Sequence, residues 1–402
     1  MAEKMKPSGI DWIGDIPNEW GITKVRFVTK LRSEQGFYNS DDKYIGLENI
    51  SSYTGEYIST ESEYDAGTYD LYKAGDLLFS KLRPYLAKAL IADDCGFCTG
   101  ELAVIKEYNG DIRYLFYYML SDGFLKMVDA STYGAKMPRA SWDYIKNLQI
   151  PVMRKSEQQT ITDFLDKECA QIDSIAADLE KQIALLQQYK KSLITETVTK
   201  GLDKSAPMKD SGVEWIGKIP EHWNVTKIKY FCRMYSGENL TSADIEPDGD
   251  YPVYGGNGKR GYYSNFTNDG EHVLIGRQGA LCGNVHLVSG KFWATDHAVV
   301  TYPTKEIINK YLYYLLQSMN LNQYSQSAAQ PGLAVNVILA LKACLPSTLK
   351  EQKTIVDFLD DKCLHVDQII LQKENQFNIL QQHKKSLIYE YVTGKKRVKE
   401  VR

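Results

Sequence analysis

The sequence predicts an α+β protein in which two mixed α/β domains are joined by two long helices that form an antiparallel coiled coil. Three observations lead to this prediction. The 402-residue chain repeats itself in tandem, each half contains one long heptad pattern, and the remainder of each half consists of short apolar stretches separated by turn residues. A chain of this length can form two or three domains, each with its own core.

The tandem duplication is visible in segments that match each other in the same order. The matching pairs are 5–27 with 208–230, 157–199 with 351–393 and, more faintly, 77–105 with 272–300. About half of the positions are identical in the first two pairs, and chance does not produce such collinear matches. Because the sequences between the matched segments have diverged, we expect one pseudo-two-fold scaffold that presents two different surfaces.

The duplicated frame divides the chain into five predicted segments. They are a first domain (1–155), a central helix (156–201), a second domain (202–349), a distal helix (350–394) and a basic tail (395–402). Each domain opens with a Trp-Ile-Gly tripeptide, at Trp12 and Trp215, which is followed by Ile-Pro. We expect these openings to anchor the chain by packing.

Apolar residues that recur every seven positions predict a coiled-coil seam on both helices. The seam positions are Leu165, Ile172, Leu179, Leu186 and Leu193 in the first helix and Leu359, Val366, Leu380 and Leu387 in the second. Lys373 interrupts the second seam, as a local weakness or a register device. Because the second domain starts just after the first helix and leads straight into the second, we expect an antiparallel pair with the two domains at opposite ends.

Within each domain, short apolar stretches bounded by Gly, Asn, Asp and Pro predict strands. These stretches are Leu77–Phe79, Leu86–Ile91, Leu102–Ile105, Val273–Ile275, Val285–Val288 and Ala298–Val300. Residues 112–127 and 306–319 carry Tyr, Leu and Phe at helical spacing and predict one helix each.

Composition and charge disfavour several classes of protein. The chain has 48 Lys+Arg against 51 Asp+Glu, a formal net charge of −3, which argues weakly against a protein whose whole surface grips nucleic acid. There is no run of about 18 apolar residues and no apolar segment after the N-terminus, so we expect neither a membrane span nor a signal peptide. Seven scattered cysteines favour a reducing, cytoplasmic location over a disulfide framework.

The motifs of common enzymes are not evident. No Gly-x-Gly-x-x-Gly follows a predicted strand, so a dinucleotide or methyl-donor pocket has no support, and residues 255–260 lack the spacing of an ATP-binding phosphate loop. The chain has no Pro-Pro pair, so the Asn/Asp-Pro-Pro-aromatic tetrapeptide of adenine methyltransferases is missing. Cys95 and Cys98 form a lone C-x-x-C, for which buried thiols are the default and zinc the alternative. We therefore predict a non-catalytic chain that binds no metal or cofactor itself.

Five loops carry side chains of the kinds that contact nucleic acid, because Arg, Lys, Asn and Gln read base edges and Lys and Arg also hold phosphates. The candidates are Lys81, Arg83, Tyr85, Lys88, Tyr133, Lys136 and Arg139 in the first domain and Asn257, Lys259, Arg260, Arg277, Gln278 and Gln330 in the second. An isolated loop of this kind is more often a solvated turn. Because five such loops cluster at matching places in a duplicated frame, both interpretations, nucleic-acid contact and solvated turns, remain open.

Several motifs together resemble a type I restriction-modification specificity subunit of the HsdS family. They are the duplicated openings, the EQ-x-x-I-x-x-F-L-D helix starts, and the stretches GDLLFSKLRPYLAKA (75–89), YPVYGGNGKRGYY (251–263) and GRQGALCGNV (276–285). The resemblance implies two target recognition domains, each reading one half of a split sequence in double-stranded DNA. It also implies helices that set the spacing and dock two methyltransferase subunits. S-adenosylmethionine and ATP would then be bound by those methyltransferase partners and by restriction/translocase subunits.

Two other functions remain as alternatives. A coiled-coil adaptor that joins two protein clients would share the helices but would need no basic loops. An enzyme in its own right would turn over methyl donor or cut DNA when purified alone, which we do not expect.

Overall fold

The computed structural model describes residues 4–279, 281–325 and 332–398. In the first half of the chain the strands and helices are β1 (Met5–Pro7), β2 (Asp15–Pro17), β3 (Gly21–Lys24), α1 (Val25–Val28), β4 (Thr29–Leu31), β5 (Gln35–Tyr38), β6 (Tyr44–Ile45), β7 (Gly67–Tyr72), β8 (Leu77–Ser80), β9 (Ala89–Ile91), β10 (Gly96–Cys98), β11 (Leu102–Tyr108), α2 (Ile112–Met119), α3 (Asp122–Ala130), α4 (Trp142–Ile145), β12 (Gln149–Val152) and α5 (Lys155–Lys200).

The second half repeats this order with fewer elements. They are β13 (Met208–Asp210), β14 (Lys218–Pro220), β15 (Asn224–Lys227), β16 (Cys232–Ser236), β17 (Tyr251–Gly255), β18 (Gly258–Tyr263), β19 (His272–Gly276), β20 (Val285–Val288), β21 (Trp293–Ala294), β22 (Ala298–Pro303), α6 (Asn309–Ser318), α7 (Val335–Ala340), β23 (Lys342–Leu345) and α8 (Leu349–Val392). None of the helices in the described part of the chain has the length and apolar character needed to cross a bilayer.

The chain forms two compact units, the first of which is built from two segments that are separated in sequence. The first unit contains Met1–Glu180 together with Glu374–Arg402, and the second contains Lys181–Lys373. Both boundaries fall inside the long helices α5 and α8. Each unit therefore consists of one α/β body and a segment of both helices.

The first body is built on two four-stranded sheets. One is antiparallel with the order β4-β11-β8-β9, and the other has the order β5-β7-β10-β6, in which β10 and β6 are parallel. Helices α2 and α3 bury Tyr114, Tyr118 and Phe124 in the same core as Leu165 of α5 and Leu387 of α8. The body thus uses the helix pair as one wall of its core.

The second body has the same plan. Its antiparallel sheet has the order β16-β22-β19-β20, and its smaller sheet has the order β18-β17-β21, in which β17 and β21 are parallel. Tyr311 and Leu315 of α6 share one core with Ile194 of α5 and Leu359 of α8. Each body is therefore a mixed α/β domain, as predicted.

Two predicted elements differ from the structure. The helix predicted over 112–127 is split into α2 and α3, because Leu120 and Ser121 lie between two separately capped helices. The strand predicted over 86–91 begins only at Ala89, because Leu86 ends a 3-10 turn and Ala87 adopts a left-handed conformation.

In each unit the two helix segments run antiparallel. In the first unit Asp173 binds Lys384, at 2.6 Å, while Glu157 near the start of α5 pairs with Arg397, just beyond α8. In the second unit Gln182 accepts a hydrogen bond from Lys373 and Lys190 pairs with Asp367 at 2.7 Å. Among the predicted seam residues, Leu165, Ile172, Leu179, Leu359, Val366 and Leu387 are buried, and Leu186, Leu193 and Leu380 are half-buried.

Equivalent tryptophans and tyrosines fasten each body to its helix segments. The indole nitrogen of Trp20 donates to Glu157 at 3.0 Å, and that of Trp223 donates to Glu351 at 2.9 Å. Both rings are fully buried. In the predicted openings themselves, the isoleucines Ile13, Ile16, Ile216 and Ile219 are buried, whereas Trp12 and Trp215 are half-buried. The predicted basic tail continues from α8 against the first opening, where the Lys395 ammonium donates to the Asp15 carbonyl at 2.5 Å.

The tyrosine anchors give a test of this fastening. The buried Tyr114 hydroxyl donates to the Val392 carbonyl at 2.7 Å, whereas the equivalent Tyr311 hydroxyl donates to Val198 at 3.3 Å. We expect Tyr114→Phe to lower the unfolding free energy by about 1–2 kcal/mol, because a buried carbonyl loses its donor. Tyr311→Phe should lower it less, and the exposed Tyr144→Phe should leave it unchanged. Urea unfolding of the three variants checks this, and an unchanged midpoint for Tyr114→Phe would contradict it.

Candidate nucleic-acid interface

In the first body, two of the predicted loops lie side by side. The loop 81–88 connects β8 to β9, and the loop 131–141 connects α3 to α4. The amide of Arg83 donates to the Pro138 carbonyl at 2.7 Å, and the amide of Ala140 donates to the Lys81 carbonyl at 2.8 Å. The fold therefore brings together two basic loops that are about 50 residues apart in the chain.

The side chains of these two loops form a mixed basic and aromatic surface. Tyr85 and Tyr133 are more than half exposed, and Lys136 is exposed. Arg139 pairs with Glu101, which its Nε reaches at 2.8 Å. Lys81, Tyr133 and Arg139 line a shallow cavity of about 270 Å³. Such a surface offers cations for phosphates together with donors and rings for bases and sugars.

Lys88 points away from these two loops. Its ammonium donates to the Leu47 carbonyl at 2.6 Å, and burial lowers its pKa. Leu47 lies on a third loop, which follows β6 and contains a 3-10 turn over Leu47–Asn49. Lys88 therefore holds a neighbouring loop in place.

In the second body, the fold brings Asn257, Arg277 and Gln278 together. The Gly256 Cα lies against the carbonyls of Gln278 and His297, close enough that an added Cβ would be 3.1 Å from the latter. Asn284 donates to the Asn257 side chain at 3.3 Å. Arg277 donates to the Ser236 hydroxyl at 2.5 Å, while its Nε is buried and has no hydrogen-bond partner among the described residues.

The remaining candidates of the second body lie further along the hairpin that β17 and β18 form, or outside the described residues. Lys259 sits 3.8 Å above the ring of Tyr262, and Arg260 donates to the Ser242 hydroxyl at 3.2 Å. Gln330 lies outside the described residues. Residues 256–261 spell Gly-x-Gly-x-x-Gly, but they form the turn and second strand of a β-hairpin, whereas a dinucleotide site needs a helix after that motif.

Matching hydrogen bonds show which positions of the two bodies are equivalent. The amide of Lys81 donates to Glu101 and that of Arg277 to His297, while the carbonyls of Lys81 and Arg277 accept from Ala140 and Leu333. Lys81 and Arg277 therefore occupy the same position at the end of a central strand. The duplicated frame presents a basic residue there in both bodies.

The same correspondence reveals a loop that the sequence analysis missed. Parallel pairing of β10 with β6 and of β21 with β17 makes the loop after Gly46 equivalent to the loop after Gly255. The exposed Glu48 lies on this first-body loop. In the sequence, the two loops share a glycine directly after a short strand, Gly46 and Gly255. The residues around these glycines have diverged, so sequence comparison of the two halves did not identify the loop.

Metal chemistry finds no support in the described residues, among which no group of three or more His, Cys, Asp or Glu side chains could hold an ion. Cys95 is exposed, whereas Cys98 is buried, and burial raises its pKa to about 12. All seven cysteines are free.

Comparison with known proteins assigns the chain to a family. The sequence profile described as "Type I restriction modification DNA specificity domain" matches residues 13–185 and 220–390, one copy in each half. The type I restriction enzyme EcoprrI specificity subunit of Escherichia coli is 46% identical over 132 residues, which cover 32% of this chain and 33% of that protein. The chain thus spans a third of that relative.

Longer matches agree with this assignment. A putative type I restriction enzyme MjaX specificity subunit of Methanocaldococcus jannaschii is 25% identical over 425 residues, which cover 96% of both chains. A solved chain from work on complex assembly and conformational transition of the type I R-M system shares the fold, with a TM-score of 0.72 at 15% identity, over 94% of this chain and 98% of that one. The chain belongs to the type I restriction-modification DNA specificity family and carries two copies of its specificity domain.

Proposed function

We propose that this chain reads a bipartite DNA sequence, one half with each body, as the specificity subunit of a type I restriction-modification complex. One observation carries the proposal: the two bodies share a frame but present different side chains at equivalent loop positions. Lys81, Leu82 and Arg83 in the first body correspond to Arg277, Gln278 and Gly279 in the second. Equivalent loops with different donors and acceptors would contact different base edges, so the two half-sites should differ.

The target recognition domains in this proposal are residues 1–155 and 202–349, with the loops described above as their reading surfaces. Lys81, Lys136 and Arg277 would hold phosphates, because phosphate contacts position a protein on the duplex. Arg83, Asn257 and Gln278 would meet base edges, because these side chain types distinguish bases in the major groove. The tyrosines Tyr85 and Tyr133 would lie against sugar and phosphate.

The helices 156–201 and 350–394 would set the spacing between the half-sites and dock two methyltransferase subunits. Large apolar side chains on these helices remain exposed, among them Ile175 and Ile379 in the first unit and Leu185, Tyr189 and Leu371 in the second. Exposed apolar residues in such number are typical of a surface that a protein partner covers.

The catalytic steps would belong to those partners in the cytoplasm. Methyltransferase subunits would bind S-adenosylmethionine and modify adenine, and restriction/translocase subunits would bind ATP. This chain would bind no cofactor and would not be an enzyme itself. The free cysteines support a reducing compartment.

Mapping of methylated adenines tests the proposal directly. We expect the chain, co-expressed with its methyltransferase subunit, to direct methylation to one bipartite motif in long-read modification sequencing. Replacing 202–349 with the corresponding body of another family member should change only one half of that motif. Methylation without a bipartite motif would contradict the proposal, and a motif that changes in both halves would contradict the assignment of one half to each body.

Salt dependence tests the phosphate contacts. For the complex with methyltransferase, we expect Lys136→Ala to weaken DNA binding equally for all sequences. It should also reduce the slope of log K against log salt by about 1, because one fewer phosphate is neutralised. Lys30→Ala, an exposed lysine of the same body that pairs with Glu107, is the matched control and should leave the slope unchanged.

A coiled-coil adaptor that reads no DNA is the competing function, and the exposed helix residues alone would suit it equally. Joint replacement of Lys136, Arg139 and Tyr133 by Ala separates the two. A DNA reader should lose methylation at its motif while still forming the complex in size-exclusion chromatography. An adaptor should keep both.

A further inference from the structure

The turn from β8 to β9 in the first body and the turn from β19 to β20 in the second make matching backbone hydrogen bonds at their described residues. In the first body the amide of Leu86 donates to the Arg83 carbonyl at 2.9 Å, and in the second the amide of Cys282 donates to the Gly279 carbonyl at 3.0 Å. The strands around the turn also match, since Ser80 donates to Lys88 and Gly276 to Asn284. Position 83 of the first body is therefore position 279 of the second, and position 87 is position 283.

Both positions require a left-handed backbone. In the second body they are Gly279 and Gly283, with φ of 84° and 90°. In the first body they are Arg83 and Ala87, both with φ of 49°. Only glycine adopts such angles without steric strain, so the first body carries strain at two positions where the second carries none. Strained residues of this kind persist where the surrounding structure holds them in place, and they cluster at functional sites.

Packing accounts for Ala87 but leaves Arg83 unexplained. Ala87 is buried with 1% exposure, so its methyl group fills space in the first core. Within the described part of the chain, the Nη2 of Arg83 makes a long contact with the Lys136 carbonyl at 3.5 Å, and its Nε is buried without a hydrogen-bond partner. An unpaired buried donor is unfavourable. We therefore expect the folded chain to be at least as stable with glycine at position 83, so its contacts within the described structure do not account for the arginine.

We propose that Arg83 is the residue of the first body that recognises a guanine, through its O6 and N7 atoms in the major groove. This assignment rests on the proposed function and sharpens it to one side chain. The planar guanidinium offers paired donors that match those two acceptors, the commonest specific contact between protein and DNA. The strained turn holds its backbone in one conformation, and the neighbouring Lys81 and Lys136 are placed to hold phosphates.

The second body lacks this contact, because Gly279 has no side chain. Its arginine is two positions earlier, at Arg277, where one Nη donates to Ser236 and the buried Nε has no partner in the portion of the chain that the structure describes. The two bodies thus place an arginine at different points of one turn, so the guanine contact belongs to the first half-site.

The experiment uses the full chain in its complex with methyltransferase and three variants: Arg83→Gly, Arg83→Lys and Ala87→Gly. The readouts are the thermal unfolding midpoint of the purified chain and the methylation motif from long-read sequencing. The half-site of the first body is the half that stays unchanged when 202–349 is exchanged. We expect Arg83→Gly to unfold at the same temperature as the parent or higher, because it relieves backbone strain.

Arg83→Gly should also make one guanine of the first half-site degenerate, with a loss of preference for that base of roughly tenfold or more, while the second half-site stays intact. Arg83→Lys should keep a partial preference. Ala87→Gly should retain the parent motif, which shows that relief of strain alone does not alter recognition.

Three results would overturn the assignment. The first is that Arg83→Gly keeps the complete motif. The second is that this variant unfolds at a clearly lower temperature, which would indicate a structural role. The third is that it weakens methylation evenly with an unchanged motif, which would indicate a phosphate contact. A parent complex without any bipartite motif would overturn the proposed function and this assignment together. If the parent complex has a bipartite motif and Arg83→Gly leaves it unaltered, the assignment of Arg83 is overturned while the proposed function stands.

Discussion

The apolar seam of the long helices supplies one wall of each core, and the rest of each unit depends on it. In the first unit Ile161, Leu165, Ile172 and Leu387 belong to the same buried cluster as Trp20 and the tyrosines of α2. A seam this long would expose its apolar face if the bodies were removed, and the bodies would lose a wall if the helices separated. Burial of this shared surface, at roughly 25 cal/mol per Å² of apolar area, is the favourable contribution that couples body and helix. The two halves of the chain are most similar in sequence in the openings and in the helices, which are the segments through which body and helix pack together.

Polar groups placed in the seam favour one register. Lys384 is 96% buried on its side chain and pairs with Asp173, whereas the equivalent Lys190 and Asp367 pair at a more exposed position. A buried ion pair contributes little net stability, but a shifted register would leave its charges unpaired, which is strongly unfavourable. The Lys384 ammonium also binds the Tyr53 carbonyl and so ties a loop of the first body to the helix. Orientation and register are thus specified by a few charges within a largely apolar contact.

The loops follow a different rule, because only a few of their residues, such as Ala87 and Ala140, belong to the shared core. Position 81 is basic in both bodies, yet positions 82 and 83 differ in chemistry, and the acidic Glu48 and the uncharged Asn257 lie on equivalent loops. A frame stabilised by its own core tolerates such changes at its rim. This separation explains how a duplicated chain can keep one architecture and carry two different recognition surfaces. Arg83 is an exception, because there the change of side chain in the loop is accompanied by a strained backbone conformation.

The sequence by itself determined the duplication, the two long helices, their seam and their antiparallel direction, because heptad spacing and repeat order are local, periodic signals. It also located most of the basic loops. Only the tertiary structure decided which loops meet, since the contacts of 81–88 with 131–141 and of 255–258 with 276–278 join residues far apart in the chain. It also assigned Lys88 to a structural contact, divided the helix predicted over 112–127 and revealed the loop after Gly46. These features depend on strand pairing and side-chain burial across long separations, and no local pattern of residues encodes them.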